Sequence, residues 1–403
     1  MKYIIVVGDG MADWPLEELN DKTPLEVADK PNMDLIAERG RCGLLKTIPS
    51  GMSPGSDVAN LSLLGYNPKR YYTGGRGPLE AASAGIDLKE DEIAFRCNLI
   101  TEENGILKDY SGGHISSREA RELIKALNNR FANEFIKFYP GVSYRNLLIL
   151  RSNGKFSLDI TCTPPHDIMG ERISEYLVKP NRNLGNETVN LLNNLILKSR
   201  EILENHPVNV KRKKQNRLPA NMVWFWSGGR KPDLPKFHKK FHLSGALISA
   251  VDLLKGIAHY IGLEVINVPG ATAYLDTNFE GKAKYGLKSL EEKDIIYIHI
   301  EAPDEASHQG MIQEKIKAIE NIDKRLISKI LNSLNEEFTI SLVTDHATPI
   351  EVRTHTKDPV PFAIYSPQRK GDSVKKYDEN SAKKGIYGLR NGMEFMNLLL
   401  ENG

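Results

Sequence analysis

The chain is short of cysteine, of long apolar runs and of net charge, and each shortage removes a class of protein. Its three cysteines, Cys42, Cys97 and Cys162, are far apart and form no C-x-x-C pair. A disulfide framework or a structural zinc knot needs more, so the chain fits a reducing cytoplasm. No stretch approaches the ~18–20 apolar residues of a membrane span. The N-terminal "MKYIIVVGDGMADWP" starts like a signal peptide but soon meets Gly8-Asp9-Gly10. An apolar core that short reads as a buried strand. Net charge is +2 at pH 7, which implies no preference for nucleic acid or anionic lipid. The basic run "KRKKQNR" at Lys211–Arg217 is a local exception and reads as a solvated loop.

What is present describes a globular α/β protein. The chain has 403 residues, 40% hydrophobic and 26% charged, enough for two domains. The spacing predicts a strand at Tyr3–Val7, a helix over Asn32–Glu38, a strand at Gly43–Ile48 and a helix over Val58–Leu64. The texture then changes. "EIAFRCNLI" and "NLLILR" read as strands, and "SSREARELIKALNNRF" between them is a helix opened by a Ser116–Glu119 capping box. A long helix "NETVNLLNNLILKSREILENH" and the strand "MVWFW" follow. From "GATAYLDTNFEGKAKYGLKSL" onward strand and helix alternate again, with strong strands in "DIIYIHI", "FTISLV" and "PVPFAIY" and a helix in "EKIKAIENIDKRLISKILNSL". The expected architecture is a catalytic α/β domain from both ends of the chain, residues 1–72 and 269–403, with a second domain of residues 73–268 inserted between them.

Strong strands lead to acids and histidines. Tyr3–Val7 ends at Asp9; Ile295–Ile300 leads to "EAPDEASHQG", with Asp304 and His308; Thr339–Val343 ends at "TDHATP", with Asp345 and His346. A further group, "RTHTKDPVP", places His355 shortly before another strand. Open α/β sheets bind ligands beyond the carboxyl ends of their strands, so these distant segments point polar groups at one crevice. Imidazole and carboxylate together suit zinc or manganese. Asp304 and His308 are four apart and share a helix face. Three aspartates and three histidines exceed what one ion takes from protein, which points to two ions and to phosphoryl transfer. Each pair means little alone, since the chain has ten histidines; the conjunction at strand ends carries the reading. His299 lies inside its strand and reads as core or as a support behind the ligands.

"GMSPGSDVANLSLLGY", from Gly51 to Tyr66, offers a nucleophile. Ser53 precedes Pro54 and reads as loop structure; Ser62 falls inside the helix. Ser56 stands at the helix entrance, where backbone N–H groups and the helix dipole favour a phosphate or an alkoxide. Its plain alternative is a helix N-cap. A divalent ion would activate such a serine near neutral pH.

With those residues in view, the chain resembles the cofactor-independent phosphoglycerate mutases of the archaeal type and their bacterial relatives, within the alkaline phosphatase superfamily. "VVGDGMADWP", "PNMDLIAERG", "PGSDVANLSLLGYNP", "YYTGGRGPLEAASAGIDL", "DYSGGHIS", "VPGATAYLDTNFEGKA", "APDEASHQG", "TDHATP" and "THTKDPVPF" occur in the family's order over nearly the whole chain. The resemblance implies an alkaline-phosphatase-like, mostly parallel sheet sandwiched by helices, with an inserted smaller α+β domain. It implies that Asp9, Ser56, Asp345 and His346 hold one metal ion and Asp304, His308 and His355 the other, with manganese favoured and zinc or magnesium as alternatives. Ser56 would take the phosphoryl group of 3-phosphoglycerate and return it to the other hydroxyl, with no 2,3-bisphosphoglycerate required. In the inserted lid domain, His114 would touch substrate. Arg76, Arg145 and Arg230 are candidates for carboxylate and phosphate clamps. Lys282 is a candidate for the charge beside the transferred group and Asp167 for the acid–base; His166 is as readily structural.

The chain departs from the family pattern in "TGGRGP", which has one glycine more before Arg76. The partner implied is a small phosphorylated substrate, not nucleic acid or a membrane. A homoserine kinase-like phosphotransferase, or another metal-dependent phosphomutase or phosphatase of the superfamily, is the alternative activity. No G-x-x-x-x-G-K-[ST] loop supports a nucleotide site. A metal-binding regulatory protein without turnover is the alternative from another class; it predicts a missing ligand or serine, and none is missing.

Overall fold

The computed structural model describes residues 1–72, 74–182, 185–333 and 338–402. In chain order the strands are β1 (Lys2–Gly8), β2 (Arg41–Lys46), β3 (Glu92–Glu103), β4 (Ile106–Asp109), β5 (Ile136–Val142), β6 (Arg145–Arg151), β7 (Ile160–Thr161), β8 (Lys179–Pro180), β9 (Met222–Arg230), β10 (Gly245–Ile248), β11 (Glu264–Val265), β12 (Ile295–Ile300), β13 (Phe338–Val343), β14 (Val360–Tyr365) and β15 (Gly388–Asn391). They fall into two compact units, Met1–Tyr72 with Asp233–Gly403, and Thr73–Pro232. Thr73, the first boundary read from sequence, lies outside the described residues, as does Leu334 at the end of one expected helix.

The first unit is built on an eight-stranded sheet in the order β11-β10-β12-β1-β13-β14-β2-β15. β1 runs parallel to both β12 and β13, and β14 is antiparallel to its neighbours β13 and β2. β12 and β13 are buried throughout and β1 in all but Lys2; helices cover both faces, so these strands read as continuous apolar runs. Register places the site. Gly8 pairs with Ile300 and Val7 with Val343, so the three chains leave the sheet at the same level. Asp9, the Glu301–His308 segment and Asp345-His346 therefore emerge side by side.

The second boundary of the inserted unit lies at Pro232, not at residue 268. β10 pairs with β12 from Gly245↔Ile295 to Ile248↔Ile298, and β11 extends the same sheet. Runs of four and two residues carry too little periodicity to be read as strands, which is why this segment was expected in the insertion. The expected helix over 314–334 is divided into Ile312–Asn321, a π-helical turn Ile322–Ile327 and Ser328–Ser333. Buried Asp323 in that turn accepts hydrogen bonds from Asn32 Nδ2 at 2.8 Å and Met33 N at 2.7 Å, tying it to the helix Pro31–Arg39.

In the inserted unit β3 is the central strand, antiparallel to β4, β6 and β9, while β5 pairs with β6. Helix Ser117–Phe131 starts with both bonds of the Ser116–Glu119 capping box. The basic run corrects its sequence reading: Lys211–Lys214 end a helix, Pro207–Lys214, and Arg212 is fully buried. Its guanidinium donates to the carbonyls of Gly112, Gly113 and Leu218, each at 2.8 Å, and pairs with Glu119 at 2.9 Å. Only the other cations of that run are solvated.

Candidate active site

Ser56 is the first residue of helix Ser56–Leu63, and Gly55 before it is the N-cap, with no side-chain capping bond. The plain N-cap reading of Ser56 is thereby removed. Its Oγ lies 3.1 Å from His346 Nε2 instead. Ser53 is exposed in the loop, and the buried Ser62 hydroxyl makes no hydrogen bond among the described residues. Asp57 braces the turn: its carboxylate accepts from Val58 N at 2.9 Å and from Tyr72 Oη at 2.6 Å.

Around Ser56 the strand-end residues converge. His346 Nε2 is 3.3 Å from Asp9 Oδ1 and 3.5 Å from Asp345 Oδ2. The rings of His346 and His355 are 4.0 Å apart, and His355 Nε2 is 3.5 Å from Asp304 Oδ1. His308 Nε2 is 3.1 Å from Asp304 Oδ2 and 3.1 Å from His355 Nε2. Asp9, Asp345 and His346 form one group able to hold a metal ion, and Asp304, His346 and His355 another, with His346 common to both. Asp9, Asp304, Asp345 and His346 are buried, His355 is half-buried, and the His308 ring reaches the surface.

The electrostatics suit a divalent cation. Burial, then repulsion from Asp345, Asp304 and Glu301, pushes the Asp9 carboxyl well above the usual carboxylate range. Burial would raise Asp304 too, but hydrogen bonds with His308 and His355 hold it well below that range. Asp345 is lowered against burial by His346 and His299. Burial lowers the His346 pKa, against the pull of Asp345 and Asp304. Asp9 Oδ1 and His299 Nε2 are buried without hydrogen-bond partners. Unpartnered nitrogen and oxygen atoms beside clustered carboxylates are the donor set of a site for a divalent ion.

Three residues stand behind the ligands; the sequence reading has His299 as core or support and leaves out Asn60 and Glu301. Asn60 donates to Ser56 O at 2.8 Å and to Asp345 Oδ2 at 2.9 Å, and accepts from Tyr297 Oη. His299 faces Asp9 at 3.5 Å and Asp345 at 3.7 Å, ion-pair rather than hydrogen-bond distances. Glu301 accepts from Lys282 at 2.9 Å and sits 3.3 Å from His299 Nδ1. Lys282 itself is fully buried, and the partners of its ammonium are Glu301 and the His299 carbonyl. It thus meets Asp9 and Asp345 through Glu301 and His299. The signal for Asn60 and His299 was present as single polar residues inside apolar runs, but such residues do not announce their partners.

The inserted unit gathers cations of its own. Arg96, in the middle of β3, is buried, pairs with Glu80 at 3.0 Å and lies 4.2 Å over the Trp226 ring. Burial lowers its pKa, and Arg76 and Arg145 stand near enough to add to that by repulsion. His166 packs against Trp226 and Tyr110, and is lowered by burial and by Arg96 and Arg76. Asp167 is exposed, 3.6 Å from His166 Nε2. Arg145 is exposed on β6. Arg230 donates to Phe156 O at 3.1 Å. His114 is exposed at φ +49°, following Gly112 and Gly113 at +59° and +63°. Of the two glycines before Arg76, packing requires only Gly75, and Gly74 is favoured by its backbone angle. A Cβ on Gly75 would fall 2.1 Å from the Gly228 carbonyl oxygen, whereas Gly74, at φ +83°, has open space around it.

Residues 37–209 match the family model described as 2,3-bisphosphoglycerate-independent phosphoglycerate mutase. The Methanosarcina barkeri protein of that name is 49% identical over 405 residues, covering 100% of both chains. The chain belongs to the 2,3-bisphosphoglycerate-independent phosphoglycerate mutase family. A Geobacter sulfurreducens relative, named as a probable member, is 45% identical over 100% of both chains. Among solved structures, a Pyrococcus horikoshii protein superposes with a TM-score of 0.84 at 30% identity, covering 99% of this chain and 96% of that one. The cofactor-independent phosphoglycerate mutase of Thermoplasma acidophilum gives 0.71 at 29% identity, covering 100% and 99%. This family membership agrees with a mostly parallel α/β sheet flanked by helices. No described helix is long and apolar enough to cross a membrane.

Proposed function

We propose that this family member interconverts 3-phosphoglycerate and 2-phosphoglycerate through a phosphoserine on Ser56. The observation that carries the reading is the placement of Ser56 Oγ 3.1 Å from His346 Nε2, with Asp9 and Asp345 around the same nitrogen. Asp9, Ser56, Asp345 and His346 would hold one divalent ion and Asp304, His308 and His355 a second, manganese being favoured. Bound there, the ions would lower the serine pKa and neutralise phosphoryl oxygen charge.

The chain's own residues do the rest. Ser56 Oγ gives up its proton and forms a bond to phosphorus as the bond from phosphorus to the glycerate 3-oxygen breaks; that oxygen takes up a proton. The 2-hydroxyl then attacks the phosphoserine, gives up its proton and releases Ser56, whose oxygen takes a proton back. Asp167 is the candidate to hold and return those protons. The amides opening helix Ser56–Leu63 face the charge that develops. Asn60 fixes the Ser56 backbone relative to Asp345. In the inserted unit, His114 and the arginines Arg76, Arg145 and Arg230 are the candidates for substrate contacts, and the cluster around Arg96 supports an anionic ligand with a planar carboxylate. Lys282 supports the site from behind, through Glu301. The enzyme is proposed to act in the cytoplasm.

The test is a coupled assay with 3-phosphoglycerate and Mn²⁺ beside one with homoserine and ATP. Turnover of 3-phosphoglycerate without ATP is expected. Robust homoserine phosphorylation with no phosphoglycerate conversion would overturn the mutase reading in favour of a kinase-like phosphotransferase.

A further inference from the structure

Thr348 is fully buried two residues beyond His346 and, among the described residues, is the one side chain hydrogen-bonded to both His346 and Asp304. Its Oγ1 lies 2.5 Å from Asp304 Oδ1 and 3.1 Å from His346 Nδ1. A hydroxyl has one proton for these two neighbours. The hydroxyl donates to Asp304 Oδ1, so the remaining bond forms only if His346 carries its proton on Nδ1. Nε2 is left as a lone pair directed at Ser56 Oγ, Asp9 Oδ1 and Asp345 Oδ2.

The hydroxyl is held in place on every side. Thr348 N donates to Ala12 O at 3.2 Å, and Thr348 O accepts from the buried Lys315 ammonium at 3.0 Å. Lys315 is itself fixed by Asp13 at 2.7 Å. Gly10, at φ +60°, closes the other side: a Cβ there would fall 2.6 Å from both Thr348 Oγ1 and Asp304 Oδ1. The bridge is thus locked by the loop that follows β1.

We propose that Thr348 is the positioning residue that couples the two ligand groups, fixing the tautomer of His346 for one ion and the orientation of Asp304 for the other. A lone pair aimed at two carboxylate oxygens is repulsive until positive charge lies between them, so this tautomer presents Nε2 as a ligand atom. The inference rests on the metal reading above and deepens it.

Two measurements on the full chain test it. In metal-free protein, the ring ¹⁵N shifts of His346 report the tautomer directly; Nδ1–H is expected, and Nε2–H would overturn the proposal. Mn²⁺ titration then compares wild type with Thr348→Val, which keeps shape without the hydroxyl, and Thr348→Ser, which keeps the hydroxyl. Mn²⁺ binding about 10–100-fold weaker is expected for the valine variant, with the serine variant near wild type. Equal affinity in all three would overturn the coupling. Should the valine variant fail to fold, the wild-type tautomer and the serine variant still decide. A wild type that binds no Mn²⁺ defeats the metal reading instead, while the tautomer measurement continues to judge Thr348.

Discussion

Glu379 gives the sharpest test of how burial governs charge in this molecule. It lies at the start of the short helix Glu379–Ala382, accepting from Asp13 N at 3.0 Å and Thr23 Oγ1 at 2.7 Å. Nearby, Lys315 and Asp13 form a fully buried pair. One cation and one anion already balance there, so a charged Glu379 would leave a buried net negative charge. Burial accordingly pushes its carboxyl from 4.5 up to about 7, against the hydrogen bonds from Asp13 and Thr23 and the attraction of Lys315. Between those values the folded chain keeps a proton that the unfolded chain has released. Stability from this group is therefore present at low pH, falls as pH rises from about 4.5, and is fully lost above about 7. The loss is about 3 kcal/mol at ~1.4 kcal/mol for each tenfold change. Glu379→Gln removes the titration and can still accept from Asp13 N while donating to Thr23. Hydrogen-exchange protection of β1 amides, measured in both proteins from pH 4.5 to 7.5, reads opening of this unit alone. The variant should gain about 3 kcal/mol on wild type across that range. Other titrations in the unit are common to both proteins and cancel. A flat difference would refute the argument. A difference of opposite sign would mean that Lys315 outweighs burial.

Ser56→Ala should reduce mutase turnover by several orders of magnitude with an unchanged unfolding profile; retained turnover would remove Ser56 as the nucleophile. Dialysis against a chelator should abolish turnover, and Mn²⁺ should restore it; full activity after verified metal removal would exclude catalytic ions. Arg96→Met should destabilise the inserted unit by about 2 kcal/mol, because it removes a charge-assisted contact with Glu80 and the stack on Trp226, as read by urea unfolding; an unchanged unfolding midpoint would refute this. Gly75→Ala should cost about 3 kcal/mol through its collision with the Gly228 carbonyl, and Gly74→Ala only about 1 kcal/mol of backbone strain. Equal losses in the two glycine variants would mean that packing does not single out Gly75.

What the sequence reveals of this fold follows from where the information lies. Asp9, Asp304, Asp345 and the histidines near them could be found because each follows an unbroken apolar strand, and a polar residue there has to leave the sheet at its carboxyl edge. Ser56 could be found because glycine and serine before an apolar helix mark an entrance. Asn60, Glu301 and Thr348 could not: each is an ordinary polar residue whose meaning comes from an atom on another strand. The antiparallel direction of β14 is equally silent, since a buried apolar run reads the same both ways. Arg212 fails for a geometric reason. A basic run on a helix must send some members inward, and only packing decides that Arg212 turns toward Gly112 and Gly113.

The residues that escaped the sequence are also those that make the cluster tenable. Asp9, Asp304 and Asp345 repel one another in a buried place, which by itself would drive the strand ends apart. Three polar chains oppose that. Tyr297 holds Asn60 against Asp345 and the Ser56 backbone; Lys282 holds Glu301 behind His299; Lys315, with Asp13, holds the Thr348 loop against Asp304 and His346. Each chain starts from a group packed within the first unit; two end at a ligand, and the Lys282 chain ends at His299, which faces Asp9 and Asp345. Because their members are hydrogen-bonded nearly throughout, they restrict the ligands without adding unsatisfied groups. The orphaned atoms that remain, Asp9 Oδ1 and His299 Nε2, face inward among the ligands. A support left unsatisfied only where the ions would sit is arranged around positive charge, and it places Ser56 at the edge of that charge.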